Sequence, residues 1–560
     1  MRWREVAIAA TVGALTTGSL VRGTSKIWRN YFPLADEWAI LAHSHPDVAE
    51  PRSWVADGFR GYFTPPDGLP DPQGDQFVRP LFNAAYWLVG KFARPTSGRY
   101  LHVGHVGVGA AAGLTTLAIA RSGGSLTSAA GYGATVPFMP ALLPSGTLLV
   151  YPCMSFDPIA ACFSQAATMA YDSGRIPIAA GFMVAGVLTK ETALPTAGAL
   201  TGLYALERRS DLLRSARARR SLATLAVPAG LWYAARRIAY RDASLQEGAY
   251  VLRKDPRGRA ARQARIAAKF PFWANLSALR TGSSPEKAAA AAELVSNALV
   301  MGGAFVELVS RLRAGRRVTA EEASFLLSYA FLNAVGTSPR YGVTLDMSLL
   351  TSLARWRRER GAPSPAARAV TAGLVAGTVT SSMRAARDFP RLERNFLAYA
   401  EVGRKYVAAL RQFDAGNRVL VLNDPVTFWT PVRWLTKTLG IKATVIKLAD
   451  HPWSYDNLAG MTTPTTVDLQ PPTAPGEPWR FTQSQGVDIL AAYHALSPDQ
   501  PAHIDYGDGI AVDLEPFDVG AQPVSDHPRW AAMRVIPGDR PAHLLYYDPA
   551  DGEFHAVDAG

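Results

Sequence analysis

The sequence predicts a mostly α-helical chain: a polytopic membrane helix bundle followed by a soluble mixed α/β domain. Three observations predict it. Apolar runs recur through residues 1–385. From residue 450 onward the chain reads instead as short alternating runs among Pro, Asp and Gly. Composition is 48% hydrophobic and only 19% charged, yet mean hydropathy is just +0.02, as expected when an apolar part is averaged with a polar one. A chain of 560 residues is also too long for one ordinary soluble domain.

The N-terminus, MRWREVAIAATVGALTTGSLVRG, carries an apolar run at 6–21 behind Arg2 and Arg4. More apolar segments follow, so it reads as an uncleaved first membrane helix rather than a signal peptide. The two arginines argue for a cytoplasmic start, which puts the next loop, 22–78, on the outer face. Crossing a hydrocarbon core of ~30 Å takes about 20 mostly apolar residues. Runs of this kind fall near 5–21, 79–93, 101–121, 126–143, 147–171, 175–189, 192–206, 221–236, 290–309, 322–338, 342–355 and 366–384. They predict about 10 to 13 transmembrane helices in a multi-pass protein of the bacterial-type inner membrane. Pro and Gly interrupt several of them, as helices lining a cavity tolerate. FPFWANL, at 270–276, reads as an aromatic interfacial element.

Net charge is +12. The arginines cluster between apolar runs, as at 208–220, where anionic lipid explains them better than nucleic acid does. No RNA- or DNA-binding module is recognisable. Cys153 and Cys162 lie in or beside apolar runs and support neither a disulfide framework nor a zinc site.

Residues 386–416 form the connection. Apolar positions at helical spacing predict an amphipathic helix there. The domain 417–560 begins with RVLVLNDP, a buried strand ending in a turn. TPVRWLTKTLG continues as a helix stopped at Gly440, and KATVIKLA follows as a strand, a βαβ-like beginning. No glycine-rich dinucleotide loop follows the first strand. The domain is expected on the extracytoplasmic side.

Candidate chemistry gathers in the apolar part. The loop 22–78 carries an adjacent acid pair, Asp36 and Glu37, and closes on Arg79-Pro80. Acidic groups so close to a membrane boundary are costly unless they face water or a cavity. His102 and His105 stand at i, i+3 on one apolar helix, where a zinc reading would need further ligands. A Pro-rich stretch at 138–163 carries Asp157. Lys190-Glu191 interrupts GVLTKETALPTAGAL, as a self-neutralising pair or a substrate contact. Arg340-Tyr341 joins two apolar runs, and an arginine there can grip a phosphate bidentately. Tyr31, Trp38 and Trp54 fit either stacking on a sugar or the membrane interface, with the interface favoured. His43 and His45 read as loop or acceptor-site residues. No metal ligand cluster is evident, so no metal and no cofactor are expected.

The order of these features resembles a known family. An acid pair in the first outer loop, RPLF, a His-bearing helix, a Pro-rich segment, TKETALP and SPRYG together look like the GT-C membrane glycosyltransferases of the protein O-mannosyltransferase-like branch. The resemblance covers roughly residues 1–420. It implies a GT-C fold and transfer of a sugar from a polyprenyl-phosphate donor to an acceptor glycan, lipid or protein at the outer face. It implies Asp36, or failing that Glu37, as the general base that takes the acceptor proton. Arg340 would hold the lipid phosphate, with Arg79 and Lys190 behind it, and His102, His105, Glu191 and Tyr341 would complete the substrate site. Attack opposite the phosphate predicts inversion at the sugar carbon. Two other classes fit the same sequence. One is a membrane transporter or flippase. The other is a non-catalytic subunit that binds a partner through its C-terminal domain.

Overall fold

The structure, a computed structural model, describes residues 3–34, 36–48, 79–139, 142, 156–239, 269–272, 276–335, 342–359, 363–421, 424, 426–427, 432–447, 467–470, 479–483, 487–488, 502–505, 511–516, 529–536, 542–548 and 551–558. The described residues are mostly helical. In order, the helices are α1 (Trp3–Gly23), α2 (Ser25–Arg29), α3 (Asp36–Ser44), α4 (Pro80–Gly90), α5 (Arg99–Arg121), α6 (Leu126–Thr135), α7 (Phe156–Asp172), α8 (Ile176–Thr189) and α9 (Leu194–Glu207). There follow α10 (Arg209–Arg214), α11 (Ala216–Ala239), α12 (Ala278–Thr281), α13 (Ser284–Arg313), α14 (Ala320–Val335), α15 (Val343–Glu359), α16 (Pro365–Leu410) and α17 (Val432–Leu439).

Among the described residues, three helices, α1, α5 and α13, are long and apolar enough to cross a membrane, and α8 is a shorter apolar helix. The sequence suggests ten to thirteen. Several of the remaining apolar runs fold into shorter helices, such as the 11-residue α4 and the 14-residue α9. Proline starts both, and Arg79 and Lys190-Glu191 stand just ahead of them, so the apolar run is cut before it reaches spanning length.

α1 and α5 cross antiparallel through small residues. A Cβ on Gly109 would meet Thr17 Oγ1 at 2.0 Å and the Gly13 carbonyl oxygen at 2.6 Å, and one on Gly113 would meet the Ala9 carbonyl at 2.8 Å. Such close backbone approach is how helices pack where lipid removes the hydrophobic drive. Gly109→Val is therefore expected to force the two helices apart. The overpacking cost is about 1–3 kcal/mol, seen as a lower melting temperature in detergent. An unchanged melting temperature would show that the crossing is loose.

α13 and α16 make the other large helix contact. Gly303 lies against Ala366 and Val370, and Gly373 against Ser296 and Leu299. A capping box at Ser283 and Glu286 starts α13, and the Ser364 side chain caps α16 by accepting from the Ala367 N–H at 3.0 Å. α16 runs unbroken for 46 residues, about 69 Å at 1.5 Å per residue. The change of pattern at residue 385 is thus a change in what surrounds the helix, not in its backbone. Phe270 and Phe272 are buried rather than interfacial: Phe270 packs on Gly342 and Phe272 on Gly377, with the Phe272 N–H donating to Asn297 Oδ1 at 2.7 Å.

The C-terminal part holds the expected βαβ unit. β1 (Arg418–Val421) pairs parallel with β2 (Thr444–Lys447) across α17, and Gly440 at φ +63 ends that helix. The sheet is completed by β9 (Ala542–Asp548), parallel to β1, and β10 (Glu553–Asp558), antiparallel to β9, in the order β10-β9-β1-β2. Between β2 and β9 the chain adds β3 (Val467–Gln470), β4 (Trp479–Gln483), β5 (Val487–Asp488), β6 (Ala502–Asp505), β7 (Ala511–Pro516) and β8 (Arg529–Ile536). These form a second, antiparallel sheet in the order β3-β4-β8-β7-β6, with β5 on β8.

The first sheet is not a separate bead. All of β1 is buried, and Val419, Val421 and Leu435 belong to the same apolar core as Phe32, Trp38 and Tyr399. Tyr399 on α16 donates its hydroxyl to the Pro33 carbonyl at 2.7 Å. Thr438 on α17 donates to the Trp38 carbonyl at 3.5 Å, and Trp434 meets His43 edge-on at 4.5 Å. The acid segment is therefore held between the helical body and the sheet.

Ion pairs define the opposite end of the body. Arg311, in the last turn of α13, pairs with Glu322 at 3.1 Å and Glu359 at 2.9 Å, and Arg316 also reaches Glu359. Arg355 pairs with Asp172 at 2.9 Å and Glu321 at 3.3 Å. Trp356 Nε1 donates to Glu322 at 2.6 Å. The C-terminal ends of α7, α13 and α15 and the start of α14 thus meet there. Tyr171 bonds Glu207 at 2.9 Å, so α9 also ends there, and the arginine-rich α10 follows it.

Candidate functional site

Glu37 lies in the first turn of α3 and is wholly buried. Its Oε2 accepts the Leu34 N–H at 3.1 Å, three residues back, in the manner of the returning carboxylate of a capping box. Tyr31 donates to the same oxygen, and Tyr86 on α4 donates to Oε1 at 3.3 Å. Burial, then the Glu37 charge, push the Tyr31 phenol well above its ordinary value, so it stays a neutral donor. Two phenols and a backbone amide thus replace the water this carboxylate lost on burial. Asp36 is the first residue of α3, about 100° round the helix from Glu37.

From Tyr86 the contacts run on through aromatic rings. Tyr86 stacks on Phe82 at 5.3 Å, and Phe82 meets Phe156 at 3.5 Å. Next to Phe156, Asp157 accepts from Lys190 Nζ at 2.7 Å, with both side chains no more than 2% exposed. Thr192 donates to the other Asp157 oxygen at 3.4 Å. Beyond Lys190, Glu191 receives Arg79 as a fork, Nη2 at 2.8 and 3.1 Å and Nε at 3.3 Å. Arg79 stands at the N-cap position of α4, the helix that carries Phe82 and Tyr86, so the circuit closes.

Local backbone explains why neighbours 190 and 191 reach different partners. Lys190 is extended (φ −161, ψ 145) between the end of α8 and a short 3-10 turn, Glu191–Ala193. Consecutive side chains about an extended residue point opposite ways. Each member of the pair thus hydrogen-bonds a residue of a distant segment.

Burial would raise the Glu191 carboxyl, but the Arg79 and Lys190 charges outweigh it and pull the value from 4.5 down to about 2. A depressed carboxyl stabilises the fold fully above its unfolded value and loses that contribution as pH falls through the folded one. The expected result is a melting-temperature gap between wild type and Arg79→Gln that is wide at neutral pH and closes between pH 4.5 and about 2. A gap that stays constant over that range would mean the pair contributes nothing.

His102 and His105 face elsewhere. Thr24 donates its hydroxyl to the Leu20 carbonyl at 2.8 Å, so its contact with His105 Nε2 at 3.2 Å must take a proton from the histidine. His105 Nδ1 is then an acceptor for His102 Nδ1–H at 3.2 Å. Trp28 stands edge-on to His102 at 5.2 Å. These bonds point toward α1 and α2, while Tyr100, at the start of α5, stacks on Tyr86 at 4.9 Å. One helix thus serves two polar groups on different faces.

The structure gathers Glu37, Arg79, Lys190 and Glu191, with Asp157 and Tyr86 added, and sets the two histidines on another face of α5. Arg340 and Tyr341 lie outside the described residues, as do Trp54 and Cys153; Asp36 is described by its backbone place alone. Tyr31 and Trp38 are buried, His43 packs on Trp434, and His45 bonds the Ala93 carbonyl at 2.9 Å. Tyr86 carried no sequence signal beyond being aromatic. Asp157 carried one, an acid inside an apolar run. Among the described residues, Asp548, Asp551 and His555 could offer three ligand atoms to a metal, but they form the β9–β10 hairpin, where Asp551 already bonds His555 at 2.8 Å. Comparison with known proteins gave no matching family model and no matching curated relative.

Proposed function

We propose that the chain is a polytopic membrane glycosyltransferase with a GT-C-like body. It transfers a sugar from a polyprenyl-phosphate donor to an acceptor hydroxyl at the extracytoplasmic face, with inversion. One observation carries this reading. Four segments far apart in sequence, around residues 31–37, 79–86, 157 and 190–191, meet in one circuit of carboxylates, cations and phenols. The circuit lies at the end of the body away from the arginine-rich α10 and the cluster at Arg311, Arg316 and Arg355. By the bias of basic residues toward the cytoplasm, the circuit faces outward.

Roles follow from what each group already bonds. Glu37 is held by Tyr31, Leu34 and Tyr86 and sets the shape of the segment. Asp36 is the general base. Arg340, by the resemblance, meets the growing charge of the leaving phosphate; Arg79 and Lys190 each already answer a carboxylate. No cofactor takes part; the lipid-linked sugar is a substrate. The same internal neutralisation of Arg79 and Lys190 favours a second reading, a non-catalytic subunit that uses the scaffold to present its C-terminal domain.

Reconstituted full-length protein, offered radiolabelled polyprenyl-phosphate sugars and soluble acceptor glycans, separates the two. Transfer by wild type that is lost on Asp36→Asn supports the enzyme. No transfer from any donor, with the chain folded and retained on a partner protein, supports the subunit.

A further inference from the structure

A groove of about 490 Å³ opens at the arginine-rich end, between the last turns of α15 and the first turns of α16. Its size is that of a small-molecule or headgroup site. Arg357 and Arg368 line it, followed along α16 by Thr371, Ala372 and Val375. Arg357 is steadied by a bond from Nη1 to the Tyr132 hydroxyl at 2.9 Å. The nearby carboxylate Glu359 is taken by Arg311 and Arg316. Among the described residues, neither groove arginine has a carboxylate within ion-pair distance, so the recess keeps its positive charge.

From Arg368 one exposed face of α16 continues through Ala372, Val375, Val379 and Met383, at helical spacing. The last three are 60%, 53% and 69% exposed, far more than an apolar side chain facing a core. Arg368 to Met383 spans about 22 Å at 1.5 Å per residue, more than the roughly 15 Å that is half of a hydrocarbon core. Cationic groups at one end of an apolar track match one molecular shape: a negative headgroup on an acyl chain.

We propose that this groove binds an anionic phospholipid of the cytoplasmic leaflet, resting on the membrane reading above. The phosphate sits between the Arg357 and Arg368 guanidiniums, and an acyl chain lies along Val375, Val379 and Met383. A zwitterionic headgroup brings its own cation toward two arginines and is disfavoured. The ligand is the lipid, not free phosphate, because the apolar track is part of the site.

Full-length protein extracted from membranes, stripped of lipid and titrated with phosphatidylglycerol, phosphatidylcholine or inorganic phosphate, tests this by native mass spectrometry. Phosphatidylglycerol is expected to bind on the order of tenfold more tightly than phosphatidylcholine. Arg357→Gln with Arg368→Gln should erase the preference, and Val375→Asp should weaken lipid binding with both arginines intact. Arg209→Gln with Arg214→Gln, at the same end but outside the groove, should keep it. Equal binding of the two lipids overturns the proposal. So does an equal loss in the Arg209/Arg214 control, which would mean general charge, or competition by inorganic phosphate as strong as by the lipid. A chain that never enters membranes sinks the membrane reading and this site together; one that enters them but ignores headgroup charge sinks this site alone.

Discussion

Asp36→Asn is expected to lower sugar transfer about 10²–10⁴-fold, the usual contribution of a positioned general base, with the melting temperature unchanged. Glu37→Gln should do the reverse. Its carboxylate now accepts from Tyr31, Leu34 and Tyr86. An amide offers one acceptor oxygen and an NH2 that confronts the remaining donors. Each buried donor left unmet costs roughly 1–3 kcal/mol, so the loss appears as less folded protein while the molecules that do fold keep turning over. Adjacent acids with separable phenotypes would thus assign one to chemistry and one to architecture. If Asp36→Asn transferred sugar at the wild-type rate, the assignment of the base would be wrong.

The second large effect is in stability. Lys190 and Asp157 form an ion pair at 2.7 Å with almost no solvent contact. Removing one partner strands the other charge in a medium that cannot solvate it, at about 3–5 kcal/mol. Lys190→Met alone should therefore lower the melting temperature by many degrees, compared at one scan rate because such unfolding is often irreversible. Lys190→Met with Asp157→Leu should recover most of that loss, since two apolar groups need no partner. A double variant no better than the single would mean that one of the two side chains has a further duty, and transfer by the rescued protein would show whether that duty is catalytic.

What could be read in the sequence was whatever has a local signal. Run length marked α1, α5 and α13. RVLV and TVIK, separated by a helix and Gly440, marked the parallel strands β1 and β2. The acid pair, Arg79 and Lys190-Glu191 stood out because charge beside an apolar run is costly. What could not be read is who answers each charge. Arg79 and Glu191 are 112 residues apart, and Asp157 and Lys190 are 33 apart. No periodicity encodes either match: Lys190 beside Glu191 left a self-neutralising pair and a substrate contact both open, and it is the extended backbone at Lys190 that sends the two side chains apart. Exposure misled in the same way. Tyr31, Trp38, Phe270 and Phe272 have the composition of membrane-interface residues, but distant sequence buries them: Phe396 of α16 stacks on Tyr31, α17 meets Trp38, Tyr329 and Gly342 cover Phe270, and Gly377 and Asn297 cover Phe272.

The way residues 31–44 are covered has a consequence for biosynthesis. Pro33 waits for Tyr399, 366 residues later, and Trp38 for Thr438, 400 residues later. At translation speeds of about 5–20 residues per second, the ribosome takes roughly 20–80 s to supply that second partner. Through that interval the nascent acid segment has emerged, with Trp38 and Phe32 lacking their final cover. A stop codon placed before the first sheet would release a chain in which Trp38 never meets α17, although Tyr399 is present to bond Pro33.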